Sequence, residues 1–314
     1  MKFNQSNIKK AKNFLNKNYC IGVPTETVYG LAANAYKDPA IKKIFRLKKR
    51  PKNNPLIDHY LDIESLKKDC IINDDFMKLY KKISSGPITY ILKLKKNSKI
   101  SKLVTNKKKS LAVRFPKHLI LKRLLKELDY PLAAPSANIS TKLSAVNASH
   151  VKEEFGSKIK YILDGGKCAI GLESTIISLI NKPTILRVGG MDISKLKKIL
   201  GKKIFFNINP KKIFAPGQSP VHYSPGIPLK INSTEPEKDG AFLSIKKKKK
   251  LKNNFYLSLN NDLNEAAKNL YTCLRIIKNK GYKSIAVEKI PYKGLGRAIN
   301  DRLHRAAKFK TLKS

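Results

Sequence analysis

Two basic side chains stand at the end of a predicted helix, where they could hold phosphate. Lys48 and Arg50 come directly before Pro51, whose ring cannot continue a helix, so both cations are expected near a loop. Arginine offers a planar fork of donors to phosphate oxygens, and lysine offers a compact charge. In so basic a chain this pair carries weight only because prolines, Asn54 and His59 follow it. Packing should not depend on Arg50, because it belongs to a predicted loop.

A third cation, Arg114, lies inside an otherwise apolar predicted strand at residues 110–116. A buried arginine needs an anion, because an unpaired charge is costly to take out of water. That anion is either a structural carboxylate or the carboxylate of a substrate. The segment alone favours neither.

Two further segments combine hydroxyl, amide and small side chains at predicted strand ends. Thr25 and Thr27 flank Glu26 just after a strand, which suits either a site or a capped turn before a helix. Ser136 and Asn138 lie on the same side of an extended segment and could both donate hydrogen bonds to a ligand. The alternative for the second segment is a plain Ser/Asn turn.

Glycines close to predicted strand ends offer backbone N–H groups to phosphate. They are Gly165 and Gly166, Gly171 at the start of the segment 171–176 that contains Ser174, and Gly189 shortly after Arg187. The chain contains neither a Walker A loop nor a G-x-G-x-x-G motif, which excludes the commonest nucleotide-binding folds.

The elements that must position these residues are predicted strands and helices in mixed order, which indicates an α/β fold. We divide the chain into residues 1–205, a Pro/Gly-rich linker at 206–228, and a smaller α/β unit at 229–314. Predicted strands of the first part fall at residues 19–24, where the strand runs into a loop, and at 87–94, 111–115, 159–163, 174–179 and 184–188. Predicted helices of the first part fall at residues 8–15, 39–49, 119–128 and 193–200.

Composition narrows the protein class. No apolar run approaches the about 20 residues that span a bilayer, and the N-terminus lacks the apolar stretch of a signal peptide, so we expect a cytoplasmic protein without a membrane segment. The four cysteines are far apart and predict free thiols rather than a zinc or disulfide framework.

The net charge of +44 raises the question of nucleic-acid binding. Lysine is abundant along the whole chain rather than in one motif, so we interpret the charge as a general surface property. Weak, salt-sensitive and non-specific RNA binding is expected from it.

In this order, the segments above resemble the YrdC-like family, whose two-domain members are the threonylcarbamoyl-AMP synthases. The resemblance covers residues 8–200 as the catalytic domain. It continues through Ala215-Pro216-Gly217 and His222-Tyr223-Ser224-Pro225 in the linker, and through Gly294-Leu295-Gly296-Arg297-Ala298-Ile299-Asn300-Asp301-Arg302-Leu303 near the C-terminus. It implies a twisted mixed sheet flanked by helices, with a second, smaller α/β domain after the linker.

The resemblance also implies a reaction, in which L-threonine, bicarbonate or CO2, and ATP with Mg²⁺ give threonylcarbamoyl-AMP and pyrophosphate. Downstream threonylcarbamoyl-transfer proteins then pass the group to an adenosine next to the anticodon of certain tRNAs. No protein side chain is expected to bind the metal.

Residue roles follow from the same resemblance. Lys48 and Arg50 would be catalytic, supplying charge at the phosphates. L-threonine would be held by Thr27, His59, Arg114, Ala134 through its backbone, and Ser174. ATP would be held by Lys48, Arg50, Asn54, Ser110, Ser136, Asn138, Ser144, Arg187 and Tyr223.

Several positions depart from the family pattern. Ala32 stands where glycine is usual, and Thr141 and Leu143 replace the usual Gly and Pro before Ser144. The linker carries Ser219, Pro220 and Val221 where basic and aromatic residues are usual, which argues against a contact between the linker and phosphate.

Two other functions compete with this one. A carbamoyl-adenylate former of hydrogenase maturation shares the catalytic domain, but those proteins carry zinc-finger cysteine pairs and an acylphosphatase unit that this chain lacks. An RNA-binding module without catalysis is supported by the charge. For the linker, the prolines around His222 and Tyr223 predict a stiff strap that forms either a lid over the site or a simple tether.

Overall fold

Ten short strands from the first two-thirds of the chain form one mixed sheet. The computed structural model describes residues 4–208, 210, 215–218, 222–248 and 253–308. The strands are β1 (Ile21–Val23), β2 (Gly30–Asn34), β3 (Ile57–His59), β4 (Cys70–Ile71), β5 (Ile88–Leu94), β6 (Ser110–Arg114), β7 (Leu132–Ala133), β8 (Thr175–Ser178), β9 (Thr184–Arg187) and β10 (Phe205–Phe206). Their order is β1-β2-β7-β3-β6-β5-β8-β9-β10, and β4 pairs with β5. The pairs β3–β6, β5–β8 and β9–β10 are parallel, and the others are antiparallel.

Helices cover both faces of this sheet. They are α1 (Gln5–Asn16), α2 (Asp38–Lys48), α3 (Ile63–Lys67), α4 (Asp74–Ile83), α5 (Lys102–Thr105), α6 (Leu119–Lys126), α7 (Ala148–Phe155) and α8 (Ile193–Leu200). Successive residues of a strand point to opposite faces. In β2, Ala32 accordingly belongs to the apolar cluster of α1 and α6, whereas Leu31 and Ala33 belong to the larger cluster that includes α2 and α4.

The end of α2 is fixed by local backbone geometry. Lys49 adopts a left-handed conformation with φ 48°, which stops the helix, and Pro51 prevents its continuation. Lys48 is therefore the last helical residue, and Arg50 enters the following loop, as predicted from the sequence.

A second, smaller sheet of four parallel strands follows the linker. It contains β11 (Leu229–Lys230), β12 (Gly240–Ser244), β13 (Asn254–Tyr256) and β14 (Ser284–Val287) in the order β11-β14-β12-β13, with helices α9 (Leu263–Asn279) and α10 (Gly296–Ala307). A parallel strand pair needs a long crossover connection, and α9 is the crossover from β13 to β14.

The two sheets share one apolar core. The largest buried cluster includes Leu172 and Ile177 of the first part together with Leu270 and Leu274 of α9. Gly171, with φ +78°, lies against α9 so closely that an added Cβ would stand 2.6 Å from the Cα atom of Lys268. Only glycine permits this approach, which brings the loop before β8 into contact with the second part.

The mixed sheet, its flanking helices and the second α/β unit confirm the predicted fold class. The strand predicted at residues 159–163 is wrong, because only Ile162 forms an isolated bridge with Gly22. The other edge of β1 already pairs with β2, and the chain leaves this edge after two hydrogen bonds, from Gly22 N to Tyr161 O and from Leu163 N to Gly22 O. None of the helices in the part of the chain that the structure describes has the length and apolar content of a membrane-spanning segment.

Candidate active site

A cleft opens where several strands of the first sheet end and the linker crosses them. β3 and β6 are parallel, and their register places His59 opposite Arg114 at the same end. Arg187 closes β9 nearby, and Ser174 immediately precedes β8. The cleft brings together eight predicted residues, namely Arg50, His59, Arg114, Ala134, Ser136, Ser174, Arg187 and Tyr223.

Five other predicted residues lie behind this lining and support it. The Lys48 Nζ atom is buried and donates to the backbone carbonyls of Ser136 and Asn138, each at 2.5 Å, and burial lowers the pKa of this amine well below its usual value. It therefore fixes the small-residue loop from below. The Asn138 amide donates to the carbonyls of Ile139 and Lys142, so its donors hold the same loop rather than face the cleft.

The remaining three support residues each contact a side chain of the lining. The Thr27 and Thr25 hydroxyls are 2.8 Å apart. The Asn54 Oδ1 atom accepts from Arg50 Nη2 at 2.5 Å. Ser144 Oγ donates to Oε1 of Glu173, which lines the cleft. The turn at Thr25 leads into β2, not into the helix that the sequence left as an alternative.

Ser110 is the one predicted residue that the structure separates from the cleft. It begins β6, whereas Arg114 ends that strand, and four residues of strand span about 13 Å. Ser110 instead lines an open groove together with Lys93 and Lys109.

Arg114 already has a carboxylate partner within the protein. Its Nη2 atom lies 2.6 Å from Glu26 Oε1, and both side chains are buried. Burial would raise the pKa of Glu26, but the neighbouring Arg114 guanidinium lowers it below its usual value. The structural carboxylate expected from the sequence as one alternative is therefore present, and Arg114 also faces the cleft.

Arg50 and Arg187 make the cleft strongly positive. Arg50 donates to the backbone oxygens of Asn54 and Pro55, and Arg187 donates to Ser174 and to the Pro216 carbonyl. Neither has a carboxylate within ion-pair distance among the residues the structure describes. Burial, together with nearby cationic guanidinium groups, lowers the pKa of both. Such a pair favours an anionic ligand. The expectation that Arg50 is dispensable for packing is wrong, because its buried guanidinium holds the loop up to Pro55.

His59 is a neutral imidazole facing the same space. Neither ring nitrogen has a hydrogen-bond partner in the described part of the protein. Burial and the neighbouring Arg114 lower the pKa of His59 to about 3. Its two nitrogens are therefore able to donate one hydrogen bond to a ligand and accept another.

The linker crosses the cleft at Pro216, Gly217, His222 and Tyr223. The Tyr223 ring is buried, and its hydroxyl is without a partner in the described part of the chain. Burial raises the pKa of this phenol, so it remains a donor. Ser219, Pro220 and Val221, at which the sequence departs from the family, lie outside the described residues.

Sequence reasoning missed the acidic member of the lining, Glu173. Glu173 belongs to the glycine-containing segment at residues 171–176. A carboxylate does not attract phosphate, so Glu173 was not a candidate for a phosphate site. Its partners are Ser144, Tyr271 and Arg302, and the last two lie in the second part of the chain. No spacing in the sequence relates residues so far apart.

Glu173, the carboxylate of the cleft lining, is bound by Arg302, and Glu26, which does not line the cleft, is bound by Arg114. The described residues contain no group of three His, Cys, Asp or Glu side chains able to hold an ion. The positive charge available at the cleft comes from guanidinium groups.

Comparison with known proteins agrees with this architecture. A family model described as telomere recombination matches residues 13–189, and one described as the C-terminal domain of threonylcarbamoyl-AMP synthase matches residues 189–308. The threonylcarbamoyl-AMP synthase of Pyrococcus abyssi is 35% identical over 98% of this chain and 95% of its own length, and that of Bacillus subtilis is 34% identical over 97% and 94%. A crystal structure of P. abyssi Sua5 complexed with L-threonine superposes with a TM-score of 0.91 at 32% identity, covering 99% of this chain and 96% of that one.

Proposed function

The chain belongs to the threonylcarbamoyl-AMP synthase family, and we propose that its cleft joins L-threonine, bicarbonate or CO2, and ATP into threonylcarbamoyl-AMP with release of pyrophosphate. The observation that carries the proposal is the meeting of two kinds of group in one cleft. His59 and Arg114 suit an amino acid, and Arg50 with Arg187 suits phosphates.

The threonine half of the cleft is the end of β3 and β6. Arg114, held in place by Glu26, pairs with the threonine carboxylate, and His59 supplies hydrogen bonds from its unpartnered nitrogens. Ser174 and the Ala134 backbone complete this half. Thr27 acts through its contact with Thr25, which lines the cleft.

The ATP half lies between the loop after α2, β9 and the linker. Arg50 and Arg187 bind phosphate oxygens, and Ser136 lies beside them. Lys48, Asn54, Asn138 and Ser144 hold these groups from behind. Tyr223 covers the nucleotide. Ser110 has no part in this proposal, because it lies at the opposite end of β6.

The reaction needs positioning and charge neutralisation rather than a protein nucleophile. The neutral amine of threonine attacks CO2, and its nitrogen releases a proton to solvent to give the carbamate. An oxygen of this carbamate then attacks the α-phosphorus while pyrophosphate leaves. The arginines neutralise the charge that develops on the phosphate oxygens. A closed cleft holds the labile carbamate next to ATP and excludes water.

The proposal extends to the metal, the downstream partner, the location and the domains of the protein. Mg²⁺ arrives with ATP as part of the substrate, since the carboxylate of the described cleft lining, Glu173, is already bound by Arg302. The reactive product passes to a threonylcarbamoyl-transfer protein that acts on tRNA, and we place the protein in the cytoplasm. We also propose that residues 1–205 form the catalytic domain, residues 206–228 the linker, and residues 229–314 a second domain.

Pyrophosphate release tests the proposal. We expect release that requires threonine and bicarbonate together and that other amino acids do not replace. Equal release with no amino acid present would contradict the proposal. RNA binding without any ATP turnover would instead support the alternative of a non-catalytic RNA-binding module. Carbamoyl-adenylate formation from carbamoyl phosphate would support the hydrogenase-maturation type of chemistry.

A further inference from the structure

Glu173 is a buried carboxylate at the edge of the cleft, and its partners come from both domains. Ser144 Oγ donates to Glu173 Oε1 at 2.5 Å. The Tyr271 hydroxyl of α9 lies 3.1 and 3.0 Å from the two carboxylate oxygens. Arg302 Nε of α10 donates to Glu173 Oε2 at 2.8 Å. Two of its three partner side chains therefore belong to the second domain.

Arg302 is one of the most deeply buried side chains of the molecule, at 1% exposure. Besides Glu173, its guanidinium binds Asp301 and donates to the backbone oxygen of Val188 at 3.0 Å. Val188 directly follows Arg187 in the chain. One side chain of the second domain thus holds both a carboxylate of the cleft and the backbone beside a cleft arginine.

The same two residues of the second domain also hold the linker tyrosine. The Tyr223 ring lies 4.9 Å from the Arg302 guanidinium and stacks on the Tyr271 ring, with 5.9 Å between ring centroids and an interplanar angle of 23°. A guanidinium over an aromatic face is attractive, and more so when water is excluded. The position of Tyr223 over the cleft is therefore set from the second domain.

Without these contacts, Glu173 would have a competing partner inside the cleft. Burial would raise the pKa of Glu173, but Arg302 and then Arg187 lower it to about 2, so the carboxylate is charged. Arg187 attracts it through space without forming an ion pair within 4 Å in the described structure. A carboxylate released by Tyr271 or Arg302 would turn to Arg187 and compete with phosphate for that cation.

From this geometry we infer that Tyr271 and Arg302 are positioning residues of the ATP site. They hold the Glu173 carboxylate away from Arg187 and hold Tyr223 over the cleft, so the second domain takes part in nucleotide binding. The inference rests on the proposed function, because it assigns Arg50 and Arg187 to phosphate. The threonine half, at His59 and Arg114, has no contact with either residue in the described structure.

The test uses two conservative variants of the full-length protein. Tyr271→Phe removes the hydroxyl but keeps the ring that stacks on Tyr223. Arg302→Lys keeps the positive charge but loses the fork that reaches Glu173 and the Val188 carbonyl together. Affinities for α,β-methylene-ATP and for L-threonine are measured separately by calorimetry, and thermal unfolding is measured for each variant.

We expect each variant to weaken binding of the ATP analogue about tenfold or more, since each removes a hydrogen bond to a charged group. Threonine affinity should change by less than about twofold, because the contacts that are lost lie in the other half of the cleft. In a Glu173→Gln background, Tyr271→Phe should have little further effect, because the charge that it controls is already gone.

Matched controls separate positioning from general packing. Tyr282→Phe removes a tyrosine hydroxyl in the same domain that donates to Asn253 at the surface. Arg275→Lys alters another buried arginine between the domains, which binds Glu154 and the Leu143 carbonyl. Both controls should keep nucleotide affinity within about twofold of the wild type.

The outcomes distinguish this inference from the proposed function. Selective loss of analogue binding in both variants supports the inference. Wild-type analogue affinity in both variants, or parallel loss of both affinities together with lower thermal stability, overturns it. Pyrophosphate release by the unaltered protein, with and without threonine, reports on the proposed function alone. A further outcome is that the wild type makes pyrophosphate only with threonine while both variants bind the analogue normally. That result would support the proposed function and contradict the role of Tyr271 and Arg302.

Discussion

Arg50 lies at the wall of the cleft with only 8% of its surface exposed. Its guanidinium faces the proposed phosphate site and at the same time holds the loop from Arg50 to Pro55 by hydrogen bonds. A substitution at Arg50 is therefore expected to change both the rate of the reaction and the free energy of unfolding.

We expect Arg50→Ala to remove about 2–4 kcal/mol of transition-state stabilisation, the usual cost of losing one aimed donor. It should also lower the free energy of unfolding, because the loop loses its buried clamp. Arg50→Lys keeps a cation, so it should be more stable than the alanine variant yet still poorly active. Pyrophosphate kinetics and urea unfolding separate the two effects. Near wild-type turnover in Arg50→Ala would show that the K-x-R motif is accidental here.

The buried histidines predict acid sensitivity of the fold. Burial and nearby cations lower the pKa of both His59 and His222 from 6.5 to about 3. Below pH 6.5 the unfolded chain therefore binds protons that the folded protein does not, and the free energy of unfolding falls as pH falls. We expect a loss of about 1 kcal/mol for each histidine between pH 7.5 and 5.5, measured by urea unfolding. His222→Gln should reduce this slope. Equal free energies at the two pH values would contradict the assignment of neutral, buried rings.

Most residues of the cleft could be predicted from the sequence, but the ion pairs among its charged side chains could not. The basic and hydroxyl residues belong to local segments whose order matched a family, so their convergence was predictable. Glu173 escaped prediction because its role depends on Tyr271 and Arg302, which only the fold brings near. The sequence also left open whether Arg114 pairs with Glu26 or with a substrate, because the residues of β6 do not show which groups lie opposite Arg114.

Among the elements, long apolar patterns were easier to predict than short strands. The predicted strand at residues 87–94 corresponds to β5, and the predicted helix at residues 193–200 corresponds to α8. β3 was missed although it carries His59, because three residues with an aspartate in the middle show no alternation of apolar residues. Its Asp58 is buried without a hydrogen-bond partner in the described structure, and burial raises the pKa of that carboxyl.

The linker is the element on which the lid hypothesis depends. Tyr223 has φ 62°, an unusual backbone conformation for a tyrosine, and Ser224 N donates to Thr141 O, so the strap is fixed on the first domain as well. We expect Tyr223→Ala to weaken ATP binding, because it removes the cover of the nucleotide, and to leave threonine affinity unchanged. Calorimetry with each ligand measures both. Unchanged ATP affinity would mean that the strap only tethers two domains.

For the whole molecule, the net charge of +44 should dominate contacts with RNA. The structure adds one feature that the sequence did not predict, an edge strand with Phe205 and Phe206 both exposed. The ammonium groups of Lys182 and Lys203 lie 5.6 and 5.3 Å from the Phe205 ring. Exposed rings beside lysines could stack on bases, which would add a specific term to a purely ionic one.

We nevertheless expect RNA affinity to fall steeply with salt and to depend little on sequence, because the charge is spread over the chain. Phe206→Ala should change the affinity less than about twofold, whereas a stacking ring is worth about 1–3 kcal/mol per base. Binding titrations at several salt concentrations measure both. The contradicting result would be tight, tRNA-selective binding at physiological salt that is lost in Phe206→Ala. It would support the alternative of an RNA-binding module.

The sharing of one carboxylate between the two domains limits how this protein can be cut or recombined. A chain ended after Gly201 would expose Glu173 to water without Tyr271 and Arg302, beside Arg187, which we propose binds phosphate. Such a fragment would carry its own intramolecular competitor for phosphate. A chimaera with a foreign second half would meet the same difficulty unless that half brought a hydroxyl and a guanidinium to the same two places. In this protein the two halves are therefore expected to work best when they are kept together.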